Sequence, residues 1–140
     1  MKLAWTFISL LTLVTASSAS ESAIKVIANP SVKVTQISLD ELKSVFLVTR
    51  TTLADGSSVE PVLLRSGTAH ESFVKEYTGK TKAGLENYYR SLVFTGRGAM
   101  PRMFKSDEEL VAYVKRTSGA VGYVTTAAST EGVKILDVRK

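Results

Sequence analysis

The chain has 140 residues, 18 of them basic and 13 acidic, giving a formal charge of +5, and it has no cysteine. That length fits one domain, or one domain behind a leader, and the missing thiols exclude disulfides, thiol catalysis and thiolate metal sites. The modest positive charge favours anionic ligands or surfaces, and falls short of the dense basic block of a nucleic-acid arm.

The first stretch, MKLAWTFISLLTLVTASSAS, sets Lys2 before an apolar run from about Leu3 to Val14 and then small residues. This is the layout of a signal peptide over residues 1–19, with Ser17 and Ala19 suiting cleavage after Ala19. An uncleaved N-terminal anchor is the other reading. The run is shorter than the ~20 residues of a membrane span. The remainder, 20–140, is expected to be one exported domain.

IKVIA (24–28) is a β-rich apolar run that ends at the turn signal Asn29-Pro30. VKVTQI (32–37) alternates like a half-buried strand. Ser38 then opens a helix, with Glu41 three residues on forming a capping box and Leu39, Leu42, Val45 and Phe46 on one face. Asp55-Gly56 marks a turn, and PVLLR (61–65) reads as a strand. Thr68 and Glu71 predict a second capping box, starting a helix that carries Phe73, Val74 and Tyr77 and stops at Gly79.

KAGLENYYRSLVF (82–94) places Leu85, Tyr88, Tyr89, Leu92 and Val93 on one amphipathic stripe. Gly96-Arg97-Gly98 breaks it, and Pro101 keeps the loop irregular. Ser106 and Glu109 predict a third capping box, with Asp107 and Glu108 suiting the positive end of the helix dipole. AVGYV (120–124) and VKILDV (133–138) read as the last strands. Strands alternating with helices indicate an α/β layered domain.

Several chemistries find little support. Zinc needs three or four ligands, and the one histidine, His70, is expected as a partly exposed residue of a first helical turn. Gly79-Lys80-Thr81 resembles the end of a phosphate loop, but Val74 stands where the pattern needs glycine. There is no G-x-S-x-G elbow. The capping and dipole roles account for Asp107, Glu108 and Glu109. Tyr88 and Tyr89 fall on the apolar stripe, so a stacking platform for nucleic acid is not expected. No nucleophile–base pair can be named, so no enzyme is expected, and no cofactor.

Arg65-Ser66-Gly67-Thr68 fits two readings. The first four amides of a helix lack internal partners and, with the dipole, attract anions. Gly67 lets backbone approach a ligand, Ser66 and Thr68 supply hydroxyl donors, and Arg65 supplies a charged fork. The same residues equally make a capped helix start with a solvated arginine. Arg97, between two glycines, is a second candidate cation; a plain surface loop explains it as well.

The order N-P…SLDELKSVFL…ADGSSVEPV…RSGTAHESF…FTGRGAMPR…SDEELVAYVKRTSGAVGYV, over 24–138, resembles the phosphate-binding type II periplasmic solute-binding proteins of ABC transporters, in particular short single-lobe members. The resemblance implies one periplasmic-binding-protein-like α/β lobe, a mixed sheet flanked by helices. It implies a periplasmic protein that binds phosphate or a similar oxyanion at Ser66, Gly67 and Thr68, with Arg65 nearby. It implies an ABC permease or another envelope protein as partner, and leaves room for a homodimer, because one lobe supplies only half of a closed shell. Arg65 adjoins Ser66 where the family sets a few residues between them. Val48 and Leu53 stand where the family often has glycine and tryptophan. The alternative is an interaction or sensory module that kept the lobe and lost transport.

Overall fold

The computed structural model of the protein describes residues 24–140, so the signal-peptide reading and the cut after Ala19 lie outside the described residues. Six strands form one sheet, in the order β2-β6-β1-β5-β3-β4. They are β1 (Ile24–Ala28), β2 (Gln36–Ser38), β3 (Glu60–Leu64), β4 (Arg102–Phe104), β5 (Ala120–Thr125) and β6 (Lys134–Arg139). β1 runs antiparallel to both its neighbours, β5 and β6, while β2 is parallel to β6 and β3 is parallel to β5 and β4. Five strands therefore share one direction, and the C-terminal ends of β3, β4 and β5 lie along one edge.

The helices are α1 (Leu39–Phe46), α2 (Thr68–Phe73), α3 (Lys82–Phe94) and α4 (Asp107–Arg116). A π-helical stretch, Val74–Thr78, continues α2 to Gly79, whose φ of 68° ends it. β5 shows how the layers form. Successive strand residues face opposite sides. At Gly122 an added Cβ would sit 2.8 Å from Leu110 of α4, so α4 covers that side. The next residue, Tyr123, stacks on Phe73 of α2 and meets Phe46 of α1 on the other side. α3 braces α1 from outside, through hydroxyls of Tyr88 and Tyr89 donating to the Leu47 and Phe46 carbonyls, each at 2.6 Å. Those bonds satisfy carbonyls that the end of α1 leaves without helical partners.

The structure corrects several expectations. Of the expected strand 32–37 only 36–37 is strand, as part of β2; Val32 instead closes the Asn29 turn through its amide. β4 is an unexpected three-residue strand. Val93 is 53% exposed, because the apolar stripe of α3 runs past the end of the core. Thr68 does not cap α2: Gly67 holds the cap position, and no side chain bonds the first turn. In the other two boxes only the serine half forms. Ser38 and Ser106 accept from the Glu41 and Glu109 amides. The Glu41 carboxylate turns instead to the Ala54 amide, and that of Glu109 to the Lys105 amide.

Candidate functional site

Where β3, β4 and β5 end, a depression of about 250 Å³ is lined by Leu64, Ser66, Gly67, Thr68, Ala69, Lys105, Ser106, Asp107 and Thr125. Parallel strands deliver α2 and α4 to the same edge, the usual place for ligands in open α/β sheets. The Arg65 amide donates to the Phe104 carbonyl at 2.8 Å and so carries the β3–β4 ladder one residue further. Gly67 then turns the chain at φ 101°, ψ 171°. That backbone is open to glycine and strained for any L-residue, although a Cβ there would meet nothing within 4 Å.

The two helix starts facing this depression differ. On α4, Ser106 caps the first turn, and Asp107 Oδ2 accepts from the Thr125 hydroxyl at 2.6 Å. On α2 the Glu71 amide reaches the Gly67 carbonyl at 3.1 Å, but no side chain caps the amides before it. Ser66 and Thr68 are exposed beside them.

His70 lies beneath this turn, and its surroundings overturn the expectation of partial exposure: it is only 2% exposed. Its Nδ1 lies 2.5 Å from the Tyr123 hydroxyl, which also accepts the Leu64 amide at 3.2 Å. The two groups share one hydrogen bond, whose donor is set by the imidazole tautomer. Burial and, to a lesser extent, the nearby Lys82 charge push the His70 pKa below 6.5. Burial likewise pushes the Tyr123 pKa well above 10, so its hydroxyl stays protonated. Tyr123 thus ties the end of β3 to the start of α2 and fixes the turn between them. Nothing in AVGYV beyond an aromatic in an apolar run signals that role.

Ser66, Gly67 and Thr68 come together in the depression. Arg65 adjoins them, exposed, without lining it. Arg97 lies apart: with Glu60 and Pro61 it borders a different depression, at the N-terminal end of β3. The cation that does line the candidate site is Lys105, which sequence reasoning missed because it belongs to a loop a long way along the chain. Among the described residues no three His, Asp or Glu side chains gather as a metal site would require.

This geometry defines an α/β layered domain with one open, donor-rich edge. No protein-family model and no curated protein sequence matches the chain. Solved structures do match. An ABC-type phosphate transport receptor from Vibrio cholerae superposes with a TM-score of 0.62 at 13% identity, over 84% of this chain and 46% of that one. PstS from Borrelia burgdorferi gives 0.63 at 15%, over 84% and 47%. A Clostridium perfringens protein solved with bound phosphate gives 0.62 at 14%, over 83% and 44%. The chain therefore shares the fold of these structures and spans less than half their length. The likeness read from the sequence holds at the level of fold.

Proposed function

We propose that this protein is an exported, non-enzymatic binding protein that holds phosphate or a similar oxyanion at Ser66, Gly67 and Thr68. The observation that carries this reading is the uncapped start of α2, set in a depression between three parallel strand ends. Backbone amides and two hydroxyls would donate to the anion, with Lys105 and the neighbouring Arg65 adding positive charge. The Asp107 carboxylate shares the depression and would repel a fully ionised anion. It would accept a hydrogen bond from monohydrogen phosphate, which keeps a proton at neutral pH, whereas sulfate has none. The leader-like residues 1–19 support export to the periplasm, and the fold supports partnership with an ABC permease.

A second reading rests on how much of the neighbours the chain matches. The chain matches less than half of each structural neighbour, and an envelope interaction or sensory module that no longer transports would need only that share of the fold.

Calorimetric titration with phosphate, with sulfate as control, separates the two. The binding reading expects phosphate to bind and sulfate not, with affinity lowered about tenfold by Thr68→Ala or Lys105→Ala, as loss of a charge-assisted bond implies. Arg97→Ala should leave the affinity unchanged. No phosphate binding up to millimolar concentration would make the depression only a helix start and favour the interaction module.

A further inference from the structure

Residues 87–106 contain Arg90, Arg97, Arg102 and Lys105 and no carboxylate. Within this stretch Phe94 is 92% exposed, Val93 53% and Met100 43%. Phe94 is the last residue of α3, and Arg90 precedes it by one turn on the same face. The Gly96 and Arg97 amides fold back onto the Val93 and Leu92 carbonyls at 3.2 and 2.9 Å, which keeps Arg97 close to Phe94. Val48 shapes the base of this turn. It is held at φ 59°, rare for a β-branched residue, and its Cγ1 would lie 3.4 Å from a Cβ added at Gly98. Arg102 leans on Glu60 at 3.9 Å, whereas neither Arg90 nor Arg97 has an ion-pair partner among the described residues.

We propose that this tip, Phe94 with Val93 and Met100 beside the Arg90 and Arg97 charges, inserts into the interface of a bilayer rich in anionic lipid. A side chain as exposed as Phe94 needs either a preformed hole in a partner or a medium that yields around it. The acyl–headgroup boundary yields, and anionic headgroups neutralise the two unpaired arginines. A two-fold pair of copies meeting through this tip would bring like charges together. Arg97 borders the depression that contains Glu60 and Pro61, at the opposite end of β3 from Ser66–Thr68. Docking there leaves the oxyanion site facing solvent, so the two proposals stand or fall separately.

The chain has a single tryptophan, Trp5, so full-length protein carrying Trp5→Phe and Phe94→Trp has its sole indole at position 94. With phosphatidylglycerol-containing vesicles its emission should shift to the blue and be quenched by brominated acyl chains. Pure phosphatidylcholine vesicles should produce neither effect. Adding Arg90→Gln and Arg97→Gln should weaken partitioning about fivefold for each arginine removed. An unquenched indole overturns the proposal, even if the chain sediments with vesicles through its apolar N-terminal run. A blue shift that grows with protein concentration in the absence of lipid overturns it too, in favour of a second copy as occupant.

Discussion

The hydroxyl of Tyr123 joins two backbone segments that the oxyanion reading needs in register. It accepts from the Leu64 amide and shares a hydrogen bond with His70 Nδ1. Tyr123→Phe keeps the ring stacked on Phe73 but strands a buried amide, so it should cost about 1–3 kcal/mol in chemical denaturation. His70 gives the same cluster a pH signature. Its folded pKa lies below 6.5, so the unfolded chain binds the proton more readily. Stability is fully present above pH 6.5 and falls as pH drops through the window between 6.5 and the lowered folded pKa. The denaturation midpoint should decline there, and His70→Gln should flatten the decline. A wild-type midpoint unchanged across that window would mean the folded imidazole takes up its proton as readily as the unfolded one.

Packing of elements was legible wherever a pattern repeats, and obscure wherever a partner comes from far along the chain. The face Leu42, Val45, Phe46 is buried as its spacing requires. The serine–glutamate pairs mark two helix starts correctly, yet the glutamates serve other amides, because the folded loop at Ala54 brings a better donor to Glu41 than its own cap. β4 escapes notice because three residues after a proline carry no period; only the ladder to β3 makes them a strand. Of the candidate site, Ser66-Gly67-Thr68 could be read locally, whereas Lys105, Asp107 and Thr125 join it only through the sheet. Gly122 is likewise silent in sequence. A methyl group there would press on Leu110 and on Val62 at 2.8 and 2.9 Å. Gly122→Ala should therefore cost about 1–3 kcal/mol by overpacking. A thermal midpoint unchanged from wild type would mean that α4 yields on the sheet.

At the scale of the whole molecule, the open side of the depression decides how a ligand is held. An anion at Ser66–Thr68 would keep part of its hydration, and the charges of Lys105 and Arg65 would act on it partly through water. Exposed charge pairs are screened over about 10 Å at 0.1 M salt and about 3 Å at 1 M. Phosphate affinity in a one-sided site should accordingly fall as chloride is raised between those concentrations at fixed pH. A closed site, with water excluded, would resist the salt far better. The two cases also differ in assembly, since closure requires a second wall. If affinity holds steady with salt, sedimentation in the presence of phosphate should reveal a dimer, and binding should sharpen with protein concentration. If affinity falls with salt and the protein stays monomeric, the single α/β unit binds alone, weakly, with bulk water as the other half of its shell.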